Sequence, residues 1–302
     1  MWGTGKLATG RSALSACLSQ LAAIAAAIAF LALLPFSASA DDDDLQPLRA
    51  GRYTWFTPAA GFDVTEIPVI EQGREVERIH VARIDPARFS FEVHTSHDGG
   101  RDLASWMQVT GAVLIVNGSY FDRQGFPATP IVTRGRAMGP VAYGTKHGAF
   151  VVTASGPSVV DLGRTRWQNA FRGASEAMVS FPMLIGADGK SRAQRSNPLL
   201  IANRSFIGQD SAGRIVIGTT SASYFSLGIF ADFLADSGLD LVRALNLDGG
   251  PPACQAITLG TFRRSVCSNS ETSSDVGQLN VLRQLFGQRP WGLPIVLAVL
   301  PK

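Results

Sequence analysis

Cysteine and histidine are scarce in this sequence. It contains three cysteines and four histidines among 302 residues. The histidines are His80, His94, His97 and His147, and their spacing is not that of a metal-binding triad. We therefore expect no metal site built on histidine, and we place all four outside the functional site.

An excess of charge of one sign is also lacking. Lys and Arg number 27 against 24 Asp and Glu, and removal of the two cations in the N-terminal segment described below leaves 25 against 24. High affinity for nucleic acid or for an anionic membrane surface needs a cationic face. We therefore expect no nucleic-acid partner, and no membrane partner once that segment is cleaved.

Two catalytic motif classes are absent. The sequence has no Gly-x-Ser-x-Gly motif, which is typical of acyl-transfer hydrolases, and no glycine-rich phosphate loop of the nucleotide-binding type. Internal repeats and coiled-coil heptads are absent as well. The sequence thus gives no support to a nucleotide enzyme, a serine hydrolase or a repeat protein.

Residues 1–40 have the features of an export signal. Two cations precede an apolar run at 18–35, and residues 38–40, Ala-Ser-Ala, fit the small-x-small rule of signal peptidase. An uncleaved membrane anchor is the alternative, because the run approaches the ~20 apolar residues that span a bilayer. We predict cleavage and a periplasmic or secreted protein. Residues 41–77 are then an extension with the first strands, and 78–302 form a single domain.

Cys254 and Cys267 are the two cysteines outside the predicted leader. In an oxidising compartment, a pair this close in sequence is typical of one disulfide closing a short loop. A zinc site is the alternative, but no histidine or second thiol pair lies nearby to complete a tetrahedral ligand set. We therefore predict a disulfide.

Strand patterns dominate the sequence. Residues 78–84 and Phe89–Thr95 are rich in β-branched and aromatic side chains, and the Asp85-Pro86 break between them predicts a hairpin. Further short apolar runs predict strands at 112–116, 148–152, 214–219, 241–247 and 294–299.

Two helices are predicted between the strands. The better one covers 227–237, with Ser226 as N-cap and Gly238 as C-cap, and a weaker pattern covers 103–109. Because helices do not alternate strictly with strands, we predict an α+β fold with mixed or antiparallel sheets in one domain.

Three polar segments directly follow or flank apolar strands. Asn117-Gly118 follows the run at 112–116, and this dipeptide permits a positive φ and a close approach to a ligand. Asn117 could bond a sugar hydroxyl or a phosphate oxygen, or the segment could simply be a strand ending in a turn. A rigid sheet holds such groups at the mouth of a cleft.

Arg204 lies between apolar residues of two strand-like runs. A planar guanidinium donates two parallel hydrogen bonds to a phosphate. A structural ion pair with a core carboxylate is the alternative.

Asp248 leaves an apolar strand directly into Gly249-Gly250. A carboxylate in this position can act as general acid, base or nucleophile, or coordinate a cation. Asp-Gly turns without function are common, but the position after a buried strand favours a functional one.

The segments 117–122, 181–190, 203–208 and 246–250, in this order, together resemble the phosphodiester glycosidase family. The resemblance extends over about 79–300. It implies an α+β fold whose cleft gathers these loops, and a hydrolase that removes a sugar from a sugar-1-phosphate diester without a required cofactor.

The resemblance also implies site roles. Asp248 and Asp122 are the catalytic pair, and the residues assigned to substrate binding are Asn117, Gly118, Arg204, Asn246, Gly249 and Gly250. One departure is Pro251-Pro252, where the family has glycine or serine, which removes two backbone donors. His147 and Glu176 remain weaker candidates for lining the cleft.

Three hypotheses follow for the activity. The first is hydrolysis of sugar phosphodiesters on a phosphorylated envelope glycan or exopolysaccharide. The second is a non-catalytic exported protein that binds anionic glycans, which the altered Pro251-Pro252 turn favours. The third is a variant of the hydrolase in which Asp248 and Asp122 hold calcium.

Overall fold

Strands build most of this protein. The computed structural model describes residues 47–96, 100–144, 147–163, 165–192, 200–267 and 292–302. The predicted leader and His97 lie outside these residues. Within them, no helix is long and apolar enough to cross a membrane.

Short strands follow one another along most of the chain, and helices interrupt them. In chain order the strands are β1 Arg49–Ala50, β2 Phe56–Ala59, β3 Phe62–Glu71, β4 Arg74–Ile84, β5 Phe89–Thr95, β6 Leu114–Asn117, β7 Ile131–Thr133, β8 Arg136–Met138, β9 Gly148–Thr153, β10 Gly156–Asp161, β11 Glu176–Ser180, β12 Met183–Ile185, β13 Ser205–Asp210, β14 Ile215–Thr220, β15 Leu241–Asn246, β16 Cys254–Leu259, β17 Phe262–Cys267 and β18 Ile295–Pro301. The helices are α1 Leu103–Thr110, α2 Trp167–Ala170 and α3 Leu227–Ala235.

The strands form three antiparallel sheets. The first has the order β1-β3-β4-β14-β13-β15-β12, with β2 also pairing with β3. The second has the order β10-β9-β11-β7-β8, and the third β17-β16-β6-β18-β5. Residues 46–302 form one compact unit. The predicted α+β class with antiparallel sheets in a single domain is confirmed.

The side chains of the first sheet point alternately to its two faces and so divide the core into two layers. Phe206 and Val216 pack with α3 on one face, whereas Ile207 and Ile217 face a larger cluster to which all three sheets contribute. Successive side chains of a strand point to opposite faces, so one sheet serves both layers. The first sheet is therefore buried on both sides and is a rigid support for the loops at its ends.

The predicted hairpin of β4 and β5 is wrong. β4 pairs with β3 and β14, and β5 pairs with β18 in the third sheet. Gln72 and Gly73 both have positive φ, 47° and 77°, and make the two-residue turn that joins β3 to β4. Because β4 has partners on both edges, the chain after Asp85-Pro86 crosses to another sheet.

The helix predictions agree closely with the structure. α3 begins at Leu227, and the Ser226 hydroxyl accepts a hydrogen bond from the Ile229 N–H. It ends at Ala235, two residues before the predicted end, so the C-cap is Asp236 and the predicted Gly238 cap is wrong, although Gly238 follows with a φ of 77°. α1 extends the predicted 103–109 by one residue, so both helices are confirmed.

The predicted disulfide is confirmed. Cys254 and Cys267 lie opposite each other at the open end of the β16–β17 hairpin and are bonded. β16 also pairs with β6, the strand that ends at Asn117. The disulfide thus closes a hairpin that directly neighbours one of the predicted site loops.

Candidate active site

The loop that carries Asp248 is joined to the end of β6. The Asp248 N–H donates to the Gly118 carbonyl at 3.0 Å, and Asn117 Nδ2 donates to the Asp248 carbonyl at 2.6 Å. Asn117 Oδ1 in turn accepts from the Cys254 N–H at 3.2 Å. The buried Asn117 amide therefore fixes the Asp248 loop against the third sheet, and its described hydrogen bonds go to the backbone.

Gly118 is required for packing. A Cβ at this position would lie 2.5 Å from Cγ2 of Ile295, and its N–H donates to the Ile295 carbonyl at 2.8 Å. Its φ is not positive, contrary to the expectation from the Asn-Gly dipeptide. Glycine is needed here because β18 passes too close for a side chain.

Asp248 has a strongly perturbed carboxyl group. Burial raises its pKa to about 7, and a hydrogen bond from the Gly249 N–H opposes only part of that increase. Desolvation disfavours the charged carboxylate, whereas a donor favours it. At neutral pH both the protonated and the ionised form of the carboxyl are therefore populated, as is required of a group that transfers protons.

Arg204 is held from two sides, and its third nitrogen faces the Asp248 loop. Nε donates to the Phe225 carbonyl at 3.0 Å and Nη2 to the Leu200 carbonyl at 2.9 Å. A Cβ on Gly249 would lie 3.4 Å from Nη1. The glycine thus allows the loop to approach the guanidinium closely.

The Arg204 charge has no carboxylate partner in the described part of the chain. Arg204 is 8% exposed, and none of the ion pairs between described residues includes it. Burial lowers its pKa. A buried cation that is paired only with carbonyls favours an anionic ligand, because an opposite charge recovers the desolvation cost.

A polar and aromatic network lies beside these two residues. Asn246 Nδ2 donates to the Tyr120 hydroxyl at 2.9 Å and to the Phe181 carbonyl at 3.0 Å, and the Tyr120 hydroxyl donates to the same carbonyl at 2.9 Å. Burial and the nearby Asp248 charge raise the pKa of Tyr120, and Arg204 partly opposes them. Tyr120 therefore stays protonated close to both charged groups.

Phe181 is stacked between two rings. Its centroid is 4.0 Å from that of Tyr120 and 4.4 Å from that of His147. Burial lowers the pKa of His147, so the imidazole is neutral at neutral pH. The stack brings the ends of β6 and β11 and the residue before β9 together next to Asn246.

Gly250, the second glycine after Asp248, shapes the turn that follows. Gly250 has a φ of 70°, and its N–H donates to the Asn203 carbonyl at 2.9 Å. The Ala253 N–H donates back to the Gly250 carbonyl at 3.0 Å, so Pro251 and Pro252 occupy the middle of a tight turn. The structure thus joins the 203–204 and 248–250 segments directly.

Asp122 lies in a different setting. It is exposed, and its Oδ1 accepts from the N–H groups of Gln124 and Phe126, each at 2.9 Å. Within the described residues, no hydrogen bond or ion pair joins it to Asp248. The Glu176 carboxylate accepts from the N–H groups of Val93 and Arg134, and no hydrogen bond or ion pair between described residues joins it to Asp248.

Metal ligands are not clustered in the part of the chain that the structure describes. It contains no group of three or more His, Cys, Asp or Glu placed to hold an ion. A calcium ion takes six to eight oxygen ligands, of which Asp248 and Asp122 would supply only a few.

The segment that contains these loops matches a known family. Residues 110–272, just over half of the chain, match the model of the phosphodiester glycosidases. The chain belongs to the phosphodiester glycosidase family. The resemblance predicted from the motif order is confirmed.

Two solved structures share the fold of this phosphodiester glycosidase. The catalytic domain of zebrafish N-acetylglucosamine-1-phosphodiester alpha-N-acetylglucosaminidase, auto-inhibited by its pro-peptide, has a TM-score of 0.55 at 15% identity over 83% of this chain and 88% of that one. A hypothetical protein from Synechocystis has a TM-score of 0.53 at 15% identity, and the match covers 84% of this chain and 64% of that one. None of the curated proteins compared with the chain matches it. At these identities the likeness establishes the fold.

Two residues of the site, Tyr120 and Phe181, had no assigned role in the sequence. Tyr120 and Phe181 belong to the motif segments, and His147 was only a weak candidate. Their segments are distant in sequence, and only the fold stacks their rings. The signal that could have found them is the pair of aromatic residues at 120 and 181, each close to a strand end.

Proposed function

We propose that this phosphodiester glycosidase is an exported hydrolase that cleaves a sugar from a sugar-1-phosphate diester of a phosphorylated envelope glycan or exopolysaccharide. The observation that carries the proposal is the buried Arg204 without a described carboxylate partner, directly beside the Asp248 loop. A phosphodiester supplies the missing negative charge.

In the proposed reaction, Arg204 binds the phosphodiester through Nη1. Its other two nitrogens are held by carbonyls, so the guanidinium is oriented before the substrate arrives. Preorganised charge of this kind stabilises the negative charge that develops on the leaving phosphate. Charge neutralisation therefore makes the phosphate a better leaving group.

Asp248 is the proposed reacting carboxylate. In its ionised form it either activates a water molecule or attacks the anomeric carbon directly. Asp122 is proposed as the second carboxylate through Oδ2, since Oδ1 closes its own turn. The separation of the two carboxylates in the substrate complex then decides between inversion and retention.

Asn117 and Asn246 are proposed to position the site. Each amide binds groups of the protein, and each lies at a strand end from which a site loop begins. Gly118, Gly249 and Gly250 would let substrate approach the loops closely, because they carry no side chain. This division assigns the chemistry to Asp248 and Arg204.

The deciding experiment is an assay of sugar release from a synthetic sugar-1-phosphodiester and from a p-nitrophenyl glycoside. We expect turnover of the phosphodiester and its loss in Asp248→Asn. Asp236→Asn is the matched control, because Asp236 is an exposed helix-end carboxylate. Equal rates in the wild type and Asp248→Asn would contradict the proposal.

A binding protein for anionic glycans is the second candidate. The Pro251-Pro252 turn favours it, since both residues lack the N–H groups that glycine or serine would present beside Asp248. Calorimetry with the same phosphodiester would then show binding without product. Any turnover that depends on Asp248 would refute this candidate.

The calcium variant and the export step have separate tests. A chelator should leave the hydrolysis rate unchanged if Asp248 acts as a base or nucleophile, and should abolish it if Asp248 and Asp122 hold calcium. For export, N-terminal sequencing of the protein recovered from its host should begin at Asp41. A chain that still begins with Met1 in a membrane fraction would favour the anchor instead.

A further inference from the structure

A second cluster of polar side chains lies on the first sheet. Glu66 is on β3, His80 is on β4, and Ser221 directly follows β14. The register pairs Glu66 with His80 and His80 with Thr219 across neighbouring strands. Because side chains alternate between the faces of a sheet, residues 66, 80, 219 and 221 lie on one face.

The three side chains form a chain of short contacts. Ser221 Oγ lies 2.7 Å from His80 Nε2, and His80 Nδ1 lies 3.2 Å from Glu66 Oε1. The other oxygen of Glu66 accepts from Arg78 Nη1 at 2.9 Å. A hydroxyl, an imidazole and a carboxylate are thus arranged in the order of a nucleophile, its base and the group that orients the base.

The Glu66 carboxylate determines which nitrogen of His80 carries the proton. Burial alone would raise the pKa of Glu66, but the Arg78 hydrogen bond and the charge of Arg264 lower it on balance, so Glu66 is ionised. An ionised carboxylate only accepts hydrogen bonds. The negative charge of Glu66 favours the proton on His80 Nδ1, although the two groups are not aligned for a hydrogen bond, and Nε2 then presents its lone pair to Ser221.

The imidazole is unprotonated at neutral pH, but its low pKa makes it a weak base. Burial, aided by the charge of Arg264, lowers the pKa of His80 to about 4, so the ring is neutral. Ser221 is exposed, whereas His80 is nearly buried. The hydroxyl can thus meet a reagent from solvent while its base is fixed by the sheet.

Glu77 fixes the backbone of this serine. Its buried carboxylate accepts from the Ser221 N–H at 3.0 Å and from the Ala222 N–H at 2.9 Å. The loop position is therefore determined by contacts from both faces of β4. Reactive groups held on rigid elements in this way are preorganised for reaction.

We propose that Ser221 is a nucleophile that takes an acyl group from a carboxylic ester, with His80 as the general base and Glu66 as the positioning residue. Ser221 Oγ attacks the carbonyl carbon, and its proton passes to His80 Nε2. His80 then returns the proton to the departing alkoxide. The products are an ester of Ser221 and one alcohol.

Acylation is expected to be stoichiometric. The Ser221 and Ala222 N–H groups bind Glu77, so they are not free to stabilise the oxyanion of a tetrahedral intermediate. The lack of donors slows both acylation and hydrolysis of the acyl-enzyme, but the p-nitrophenolate of an activated ester leaves more readily than the serine alkoxide, so acylation is the faster step. We therefore expect a burst of one equivalent of product and then little turnover.

The test uses p-nitrophenyl acetate and a fluorophosphonate on the purified protein, with intact mass and peptide mapping as the readouts. We expect one adduct per chain on Ser221 and none in Ser221→Ala. Ser155→Ala is the matched control, because Ser155 is exposed but bonds to a threonine hydroxyl. Absence of an adduct on Ser221 of the folded wild type would overturn the proposal.

Two further variants test whether His80 and Glu66 activate Ser221, or whether Ser221 reacts simply because it is exposed. His80→Asn should slow labelling of Ser221 by ~10-fold or more, less than the usual contribution of a general base because the low pKa of His80 makes it a weak one, and Glu66→Gln should slow it less. His94→Asn is the control, since His94 also contacts a glutamate, at 3.0 Å. Unchanged labelling in folded His80→Asn, or in the more exposed Glu66→Gln if the former does not fold, would refute activation. These assays use no sugar phosphodiester, so they are independent of the proposed hydrolysis.

Discussion

Asp248 and Asp122 follow similar sequence patterns, but their surroundings differ greatly. Both come shortly after an apolar strand and precede a turn. The Asp248 carboxyl is enclosed by protein and has a pKa raised to about 7, whereas Asp122 is exposed and binds the N–H groups of its own turn. The difference shows that the raised pKa of the Asp248 carboxyl comes from contacts between the sheets and not from the local turn.

The largest expected effect separates the two aspartates by activity. Asp248→Asn should lower kcat/KM for a sugar-1-phosphodiester by ~100-fold or more, because it removes the proton-transfer group. Asp122→Asn should cost less, since an amide oxygen can still close the turn. Steady-state kinetics of both variants give the comparison. An equal loss of kcat/KM in the two variants would mean that Asp122 contributes as much to the reaction as Asp248.

Arg204→Lys tests the proposed binding of an anion beside Asp248. Lysine keeps the charge but lacks the fork that bonds both carbonyls and the substrate. We expect a loss of ~10²-fold in kcat/KM, similar to removal of one preorganised donor. Arg172→Lys, at an exposed arginine, is the control. A wild-type rate in Arg204→Lys would show that charge alone suffices.

The free energy of unfolding should depend on pH through the buried Asp248 carboxyl. The folded-state pKa of Asp248 is raised above its unfolded value, so its stabilising contribution is complete below about pH 4 and is lost as the pH rises through 7. Asp248→Asn removes that loss. We expect it to gain at least ~1 kcal/mol relative to wild type between pH 5 and pH 8, measured by urea unfolding at both values. A pH-independent difference would contradict the raised pKa.

The smallest expected effect concerns the turn itself. Asp122→Ala removes the acceptor of two N–H groups and should lower the free energy of unfolding by ~1 kcal/mol. Asp122→Asn should be nearly neutral, because it retains an acceptor. Thermal unfolding of both variants checks this, and an equal loss would mean that charge, not hydrogen bonding, stabilises the turn.

The elements were more predictable than their partners. Alternating apolar residues and a serine N-cap identified β5 and α3 within two residues, because these signals are local. The β4–β5 hairpin was wrong because strand pairing depends on distant segments. Asp248 and Arg204 were recognisable as polar residues after or before apolar strands.

The surroundings of the polar residues were not predictable from the sequence. Burial of the Asp248 carboxyl depends on loops from separate sheets, and the stack of Tyr120, Phe181 and His147 joins distant segments. Likewise, the contact between His80 and Ser221 spans 141 residues. No pattern within a window of ordinary length contains such pairs.

The hydrogen bond from Asn117 to the Asp248 carbonyl joins residues 131 apart in sequence. Contacts of such high sequence separation form late in folding, because the loop-closure entropy must be overcome first. A nascent chain that ends before residue 248 therefore cannot assemble the site. The proposed hydrolysis can begin only after synthesis has passed residue 248.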